Sequence, residues 1–373
     1  MVRLTRAQQQ DATRRKVLAA AKSEFAQRGF RGATVDGIAE RADMTRGAVY
    51  SNFPGKRALY LAVLAHEAEQ APPPAAGPAP ADTPAAALGA FASTWLEQLP
   101  QSSQYEYSED EQFTSPALSV DFVPEVLMSE QIRRPFAQLL ALDALLLAAS
   151  LRAISQPTAA PLESFIASAE SVLTILYGTT QLSYVAPEFT DPARAIALCE
   201  QVALLGGVKT PTPPAHVHAH VTPVDEPWEP PSCTDRIRAD SARLDSDGLI
   251  AVLGMHRIGT IEAALSIWPE HTDITLALVS DHPAELAPLA RLAIADICRS
   301  LRHAFPAAAL PRLQVIVDDA GTLAAACGFD RVEDNSELAV IVENGHITAR
   351  AEGRGAAKAA ATAYTSSTTS DRA

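Results

Sequence analysis

Residues 25–64 read FAQRGFRGATVDGIAERADMTRGAVYSNFPGKRALYLAVL. Just upstream, Val17, Leu18, Ala21 and Phe25 recur at helical spacing, with Arg14, Arg15, Lys22 and Arg28 on the other faces, which predicts an amphipathic helix ending near Gly29. Thr34 offers a capping oxygen to a second helix, in which Val35, Ile38, Ala39 and Ala42 follow the spacing of one buried face. Asp43 tolerates a left-handed turn, Thr45 caps a short third helix over 45–52, and Pro54 suits the first turn of a fourth. The spacing is that of a helix-turn-helix. Val49 and Phe53, four apart, are expected to anchor the third helix. Thr45, Arg46, Ala48, Tyr50 and Asn52 are left to face a DNA major groove, where Arg reads guanine, Asn reads adenine and a methyl meets thymine. Thr34 and Lys56, near the starts of their helices, suit phosphate contacts that set register.

Charge supports that division. The 373 residues carry a net charge of −14, yet residues 1–60 hold 12 Lys and Arg against 5 Asp and Glu, leaving −21 on the rest. Cationic neutralisation of phosphates supplies most non-specific DNA affinity, so a basic head on an acidic body points to a chain that touches DNA at one end.

The quoted segment resembles the DNA-binding domain of TetR-family repressors, through Phe25, Gly29, Phe30, Thr34, Val35, Ile38, Ala39, Ala42, Gly47, Val49, Tyr50, Phe53, Lys56 and Leu59. Asp43 stands where that family usually has a turn glycine. The resemblance implies a homodimer that binds a palindromic double-stranded DNA operator through the major groove, a repressor whose affinity for DNA changes with a small-molecule effector. It also implies a helical core that holds the effector and dimerises through its last two helices.

Helical periodicity at 85–99, 133–154, 162–185 and 191–205 predicts that all-helical core, placing the DNA-binding domain at 1–58 and the effector and dimerisation domain at 59–207, with 162–205 as the dimer pair. Trp95, Phe136 and Tyr177, bulky aromatics on small-residue helices, are candidates both for lining an effector pocket and for ordinary core packing. Between Arg57 and Arg133 there is no Lys or Arg but eleven Asp or Glu, with a cluster at Glu106, Glu109, Asp110 and Glu111, so this stretch is expected to stay off DNA. A Pro/Ala-rich run over 71–87 reads as an exposed connection.

Residues 208–234 are Pro-rich and read as a linker between independently packed units, so that a fragment of residues 1–207 is expected to dimerise and bind DNA alone. His216, His218 and His220 alternate within it and, on an extended segment, place three imidazoles on one side, a candidate metal site set against chance linker composition. Beyond 235 the period changes. Short apolar runs at 249–253, 274–279, 313–317, 338–342 and 347–351 read as strands, and 260–268, 284–305 and 355–364 as helices, with an Asn344-Gly345 hairpin turn. The order is similar to a thioredoxin-like fold over 235–365, followed by a polar tail, 366–373, expected to be disordered.

The whole is thus expected to be multidomain, all-α helix-turn-helix plus helical core followed by an α/β domain, with no cofactor and no enzymatic activity. The alternative is an enzyme or redox sensor using thiol or nucleotide chemistry in the α/β unit. Against it, the turn after Val279 reads Ser280-Asp281-His282-Pro283 with no cysteine, Cys298 and Cys327 read as buried small residues, and the 254–260 loop lacks a phosphate-binding lysine. No signal sequence is read at the N-terminus, and the longest apolar run, 136–151, is broken by Asp143 and shorter than the roughly 18 residues of a membrane span, so a cytoplasmic protein without a membrane partner is expected. Cys199, Cys233, Cys298 and Cys327 form no CxxC pair.

Overall fold

The apolar stripes read above become buried faces. The computed structural model describes residues 6–72, 74, 82–97, 122–123, 128–155, 161–205, 218–269 and 272–370. Helix α1 (Arg6–Gly32) bends at Gly29, whose φ of 65° and ψ of 174° suit a residue without a Cβ. Helices α2 (Val35–Arg41), α3 (Arg46–Asn52) and α4 (Lys56–Gln70) follow, α4 opening at Gly55 rather than at Pro54. Val17, Ala21, Phe25, Ile38, Ala39, Val49, Phe53, Leu59 and Tyr60 make one core. Phe25 and Phe30 meet the Tyr60 ring edge-on at 5.2 and 5.0 Å.

The helical core consists of α5 (Pro84–Leu96), α6 (Glu130–Ile154), α7 (Leu162–Val185) and α8 (Pro192–Leu205), close to the predicted spans. Helix α6 is long and apolar enough by composition to cross a membrane, but more than half of that window is packed inside the protein. Residues 73 and 75–81 of the Pro/Ala-rich run and the acidic cluster at 106–111 lie outside the described residues, while the end of that run, expected to be an exposed connection, opens α5 at Pro84 with Ala87 buried.

Strands β1 (His220–Pro227), β4 (Gly248–Gly254), β5 (Asp273–Val279), β6 (Leu313–Val317), β7 (Glu337–Glu343) and β8 (His346–Glu352) form a six-stranded sheet in the order β1-β8-β7-β4-β5-β6. The short β2 (Thr234–Asp235) and β3 (Asp240–Ser241) pair separately. Strands β4, β5 and β6 are parallel, while β7, β8 and β1 are added antiparallel. Asn344 and Gly345, at φ 51° and 76°, make the predicted hairpin turn between β7 and β8. Helices α9 (Ile261–Leu265), α10 (Pro283–Ala304), α11 (Thr322–Ala326) and α12 (Ala356–Ser370) complete the unit. Alternation along the strands sorts side chains onto two cores. Leu249, Ala251 and Leu253 join the face under α10 and α12, while Ile250 and Val252 join Trp228, Leu244 and Phe329 on the other.

Three expectations are corrected here. The segment read as linker contains β1, an edge strand paired to β8, and buried Trp228, whose indole Nε1 donates to Leu244 O at 2.6 Å. Residues that looked like Pro-rich connection therefore supply a sheet edge, where proline's missing N–H is tolerated. The tail is helical to Ser370, and 371–373 lie outside the described residues. The third correction matters most: the two units are not independently packed. Helix α10 of the α/β unit lies against α4, α5 and α6, and one contiguous core runs from Leu61 and Leu88 through Leu289 and Ile297 to Ala361. Arg57 pairs with Glu285 at 2.7 Å, and Gly259 N donates to Gln138 Oε1 at 3.0 Å across the same junction.

Candidate nucleic-acid interface

The helix-turn-helix is built by caps. Thr34 accepts from Gly37 N at 3.0 Å to start α2, and Thr45 accepts from Ala48 N at 3.2 Å to start α3. Between them Asp43 takes φ 49°, the left-handed turn that its short polar side chain tolerates. Val49 and Phe53 are buried and fix α3, and the Arg14 guanidinium lies 4.5 Å from the Phe53 ring. Sequence reading missed Glu24. It falls in the apolar stripe three residues after Ala21, is buried, and pairs with Arg41 of α2 at 2.7 Å and with Arg28 at 3.5 Å. A carboxylate in such a stripe is a signal that a cation must meet it. Gly37 lets α2 approach, since a Cβ there would lie 2.6 Å from Glu24 Oε1.

Arg46 and Tyr50 stand together on the exposed face of α3. The guanidinium is 3.4 Å from Tyr50 Oη and 5.4 Å from its ring, and 3.4 Å from Asp36 Oδ2 of α2. The Tyr50 hydroxyl, and then Asp36, raise the Arg46 pKa. Thr34 and Thr45 are exposed beside it, and Ala48 is half-buried.

Two expected contacts are placed otherwise. Asn52 is half-buried, donates to Ala48 O at 2.9 Å, and lines a cleft of about 160 Å³ with Arg14, Pro283, Arg291 and Asp319, turned toward the α/β unit. Lys56 turns inward. Its ammonium donates to Phe30 O at 2.8 Å and Ala33 O at 3.1 Å, and sits 4.6 Å from the Phe30 ring. Carbonyls freed at the end of α1 are acceptors that a nearby cation satisfies. Lys56→Ala is therefore expected to destabilise the domain by on the order of 2 kcal/mol, the usual size for hydrogen bonds to a charged group. Thermal unfolding measures it. A fall of about one unit in the salt slope of DNA binding, at unchanged stability, would instead return Lys56 to a phosphate.

The three aromatics proposed for an effector pocket meet. Trp95 and Tyr177 rings are 5.2 Å apart and Phe136 lies 6.1 Å from Tyr177, with Trp95 Nε1 donating to Thr180 Oγ1 at 3.3 Å. Asp143 is fully buried on α6, and neither of its carboxylate oxygens has a hydrogen-bond partner among the described residues. Burial, then the charge of Asp296 on α10, holds its carboxyl well above the usual range. Tyr177 is raised by burial, then by Asp143 and Asp296, which puts the aromatic and acidic groups in one electrostatic neighbourhood.

Of the histidine tract, His216 lies outside the described residues. His218 N donates to Arg354 O at 2.8 Å and His220 pairs with Glu352, both through backbone at the β8 end of the sheet. The metal-capable grouping found among the described residues is elsewhere, at the turn after β5, where Asp281, His282 and Asp334 bring ligand atoms within 4.8 Å of one another. Ser280 donates to Asp334 at 2.6 Å, and the Asp281 hydrogen bond raises the His282 pKa. The thiols are poorly suited to nucleophilic work. Burial pushes Cys199 and Cys327 up to about 12 and raises Cys233 and Cys298. Gly254, in the loop that lacks a phosphate-binding lysine, is needed for backbone approach, since a Cβ there would meet Glu333 O.

Residues 17–63 match the family model for bacterial regulatory proteins of the tetR family. The chain is 45% identical over 65 residues to the HTH-type transcriptional regulator SrpR of Pseudomonas putida, covering 17% of this chain and 30% of that protein. It is likewise 45% identical over 65 residues to the HTH-type transcriptional regulator TtgW, also of Pseudomonas putida, covering 17% and 48%. The chain thus spans less than half the length of these curated relatives. A solved structure of the multidrug binding protein EbrR with imidazole aligns over 54% of this chain and 92% of that one, at 20% identity and a TM-score of 0.36. With caps, turn and core in place, residues 17–63 are a helix-turn-helix domain of the tetR family of bacterial regulatory proteins.

Proposed function

We propose that the chain is a ligand-responsive transcriptional regulator, a repressor that binds a palindromic operator as a homodimer with α3 in the major groove. The observation that carries this reading is the exposed Arg46–Tyr50 pair on a short helix anchored from behind by Val49 and Phe53. Guanidinium and phenol on an outward helix face are donors and acceptors that read base edges, and Thr34 and Thr45 beside them suit phosphates. Arg46→Ala and Tyr50→Ala are each expected to weaken operator binding by about 1–3 kcal/mol while leaving the fold intact. Footprinting on DNA upstream of the chain's own coding region, at fixed salt, tests it. Equal protection by wild type and both variants would remove α3 from base readout.

Dimerisation through α7 and α8 is supported by the apolar side chains they leave open: Leu182, Val185, Leu198 and Leu204, with Phe189 in the turn between the helices. A second copy would cover them in a four-helix arrangement. Trp95, Phe136 and Tyr177 are proposed as effector contacts. The α/β unit, with thioredoxin-like element order but buried thiols, serves as a sensing or interaction domain in the cytoplasm.

A further inference from the structure

Between the end of α4 and the outer side of α10 lies a cleft of about 630 Å³, within the roughly 300–1,000 Å³ of small-molecule pockets. Its walls carry Arg236 from the β2–β3 connection and Arg291, Arg299, Arg302 and His303 from α10, against a single carboxylate, Glu69 on the last turn of α4. The local surplus of arginine stands against a net charge of −14 for the whole chain.

Arg302 is held by a backbone carbonyl, while Arg299 is held by carbonyls and also lies in the field of the buried Asp296. Arg302 donates to Ile237 O at 2.9 Å, and Arg299 to Pro72 O at 3.3 Å and Thr94 O at 3.5 Å. Carbonyl oxygens orient a guanidinium without neutralising it. Arg236 Nη1 meets Glu69 at 2.9 Å, and Arg291 lies 3.6 Å from the same carboxylate and 3.5 Å from Asp319. One Glu69 oxygen is thus shared by two guanidiniums. Both of these arginines also keep a buried Nε without a hydrogen-bond acceptor among the described residues. These Nε atoms are shut off from the cleft, and Arg291 Nε faces Glu69 at 3.6 Å, so the donors open to a ligand are the outer guanidinium nitrogens.

We propose that this cleft binds a small organic di- or triphosphate. Guanidiniums presented along α10 and from the β2–β3 connection facing it suit an elongated, multiply charged phosphate chain, whose oxygens accept N–H donors at several points along its length. The volume is far larger than one phosphate needs, leaving room for an organic body against the aliphatic parts of α4 and α10. Duplex DNA is disfavoured by distance. The cleft lies at the far end of the 15-residue α4 from Lys56, about 20 Å along a helix rising 1.5 Å per residue. By competing for Arg236 and Arg291, a bound polyphosphate would loosen Glu69, which ties α4 to the α/β unit.

Calorimetric titration of the full chain at about 0.15 M salt, where non-specific ion pairing is screened, tests the site with ATP, inorganic tripolyphosphate and adenosine as probes. One-site binding of ATP and tripolyphosphate is expected, with none of adenosine. Arg236→Gln and Arg302→Gln should each weaken it at least tenfold, and Glu69→Gln should tighten it several-fold by removing the competing carboxylate. A tightened Glu69→Gln variant is an outcome that misfolding does not produce. If Arg236→Gln loses its near-ultraviolet circular dichroism, the exposed Arg302 and the Glu69 variants decide. Lack of saturable binding at millimolar ATP, equal binding by Arg302→Gln and wild type, or displacement of tripolyphosphate by a short random duplex would each overturn the proposal. None of these readouts depends on operator recognition.

Discussion

A chain ending at residue 207 is expected to lose cooperative folding of its helical core, and to elute as aggregate or unfolded monomer rather than as a dimer. Removing the α/β unit takes away α10, which has 12 buried residues and covers α4, α5 and α6. Burying one large apolar side chain is worth about 1.5–3 kcal/mol. Several such losses match the roughly 5–15 kcal/mol by which a typical domain is stable. The ion pairs Arg57–Glu285 and Arg236–Glu69 go at the same time, though partly exposed pairs add little. Size-exclusion chromatography and thermal melts of residues 1–207 beside the full chain give the answer. A soluble fragment with a sharp melt near that of the full chain would show that α10 only rests on the helical core. A folded but monomeric fragment would count against the interface assigned to α7 and α8.

Asp143→Asn should stabilise the protein at neutral pH, by on the order of 2 kcal/mol, because the fold holds this carboxyl in its protonated form at a cost that grows with pH and an amide has no such cost. Asp143 is fully buried, and Asp296, pushed up to about 7 chiefly by burial, adds like charge nearby. The sign follows from linkage. A carboxyl whose folded pKa is raised binds its proton more tightly in the fold, so its unfavourable effect is absent below the ordinary carboxylate range and grows as pH rises toward the folded value. Wild-type stability should therefore decline between about pH 4 and 7, and the Asn variant should show a shallower decline. Denaturant melts across that range measure both. An unchanged pH profile in the variant would mean that Asp143 carries no uncompensated charge, and a large loss of stability would mean that it has a partner.

Local structure was legible wherever one short-range rule governed it. Thr34 and Thr45 cap because a hydroxyl three residues before a free N–H satisfies it, Asp43 turns because it tolerates positive φ, and Asn344-Gly345 reverses two strands. The sequence of residues 17–63 therefore determined the helix-turn-helix, and alternation after 235 determined that a sheet would form. Lys56 and Asn52 were misplaced because spacing tells which face a residue occupies but not which distant carbonyl or helix will meet it. Glu24 was overlooked for the same reason, its partner Arg41 lying 17 residues away. Proline content hid β1, since a sheet edge tolerates proline and a linker favours it. The joining of the two units was beyond any local reading. Helix α10 looks from its own sequence like an ordinary crossover with apolar residues to bury, and those residues serve the sheet and the helical core alike. Burial is not directional, so an apolar stripe shows that a face will be covered, and only tertiary structure decided that α4, α5 and α6 would do the covering.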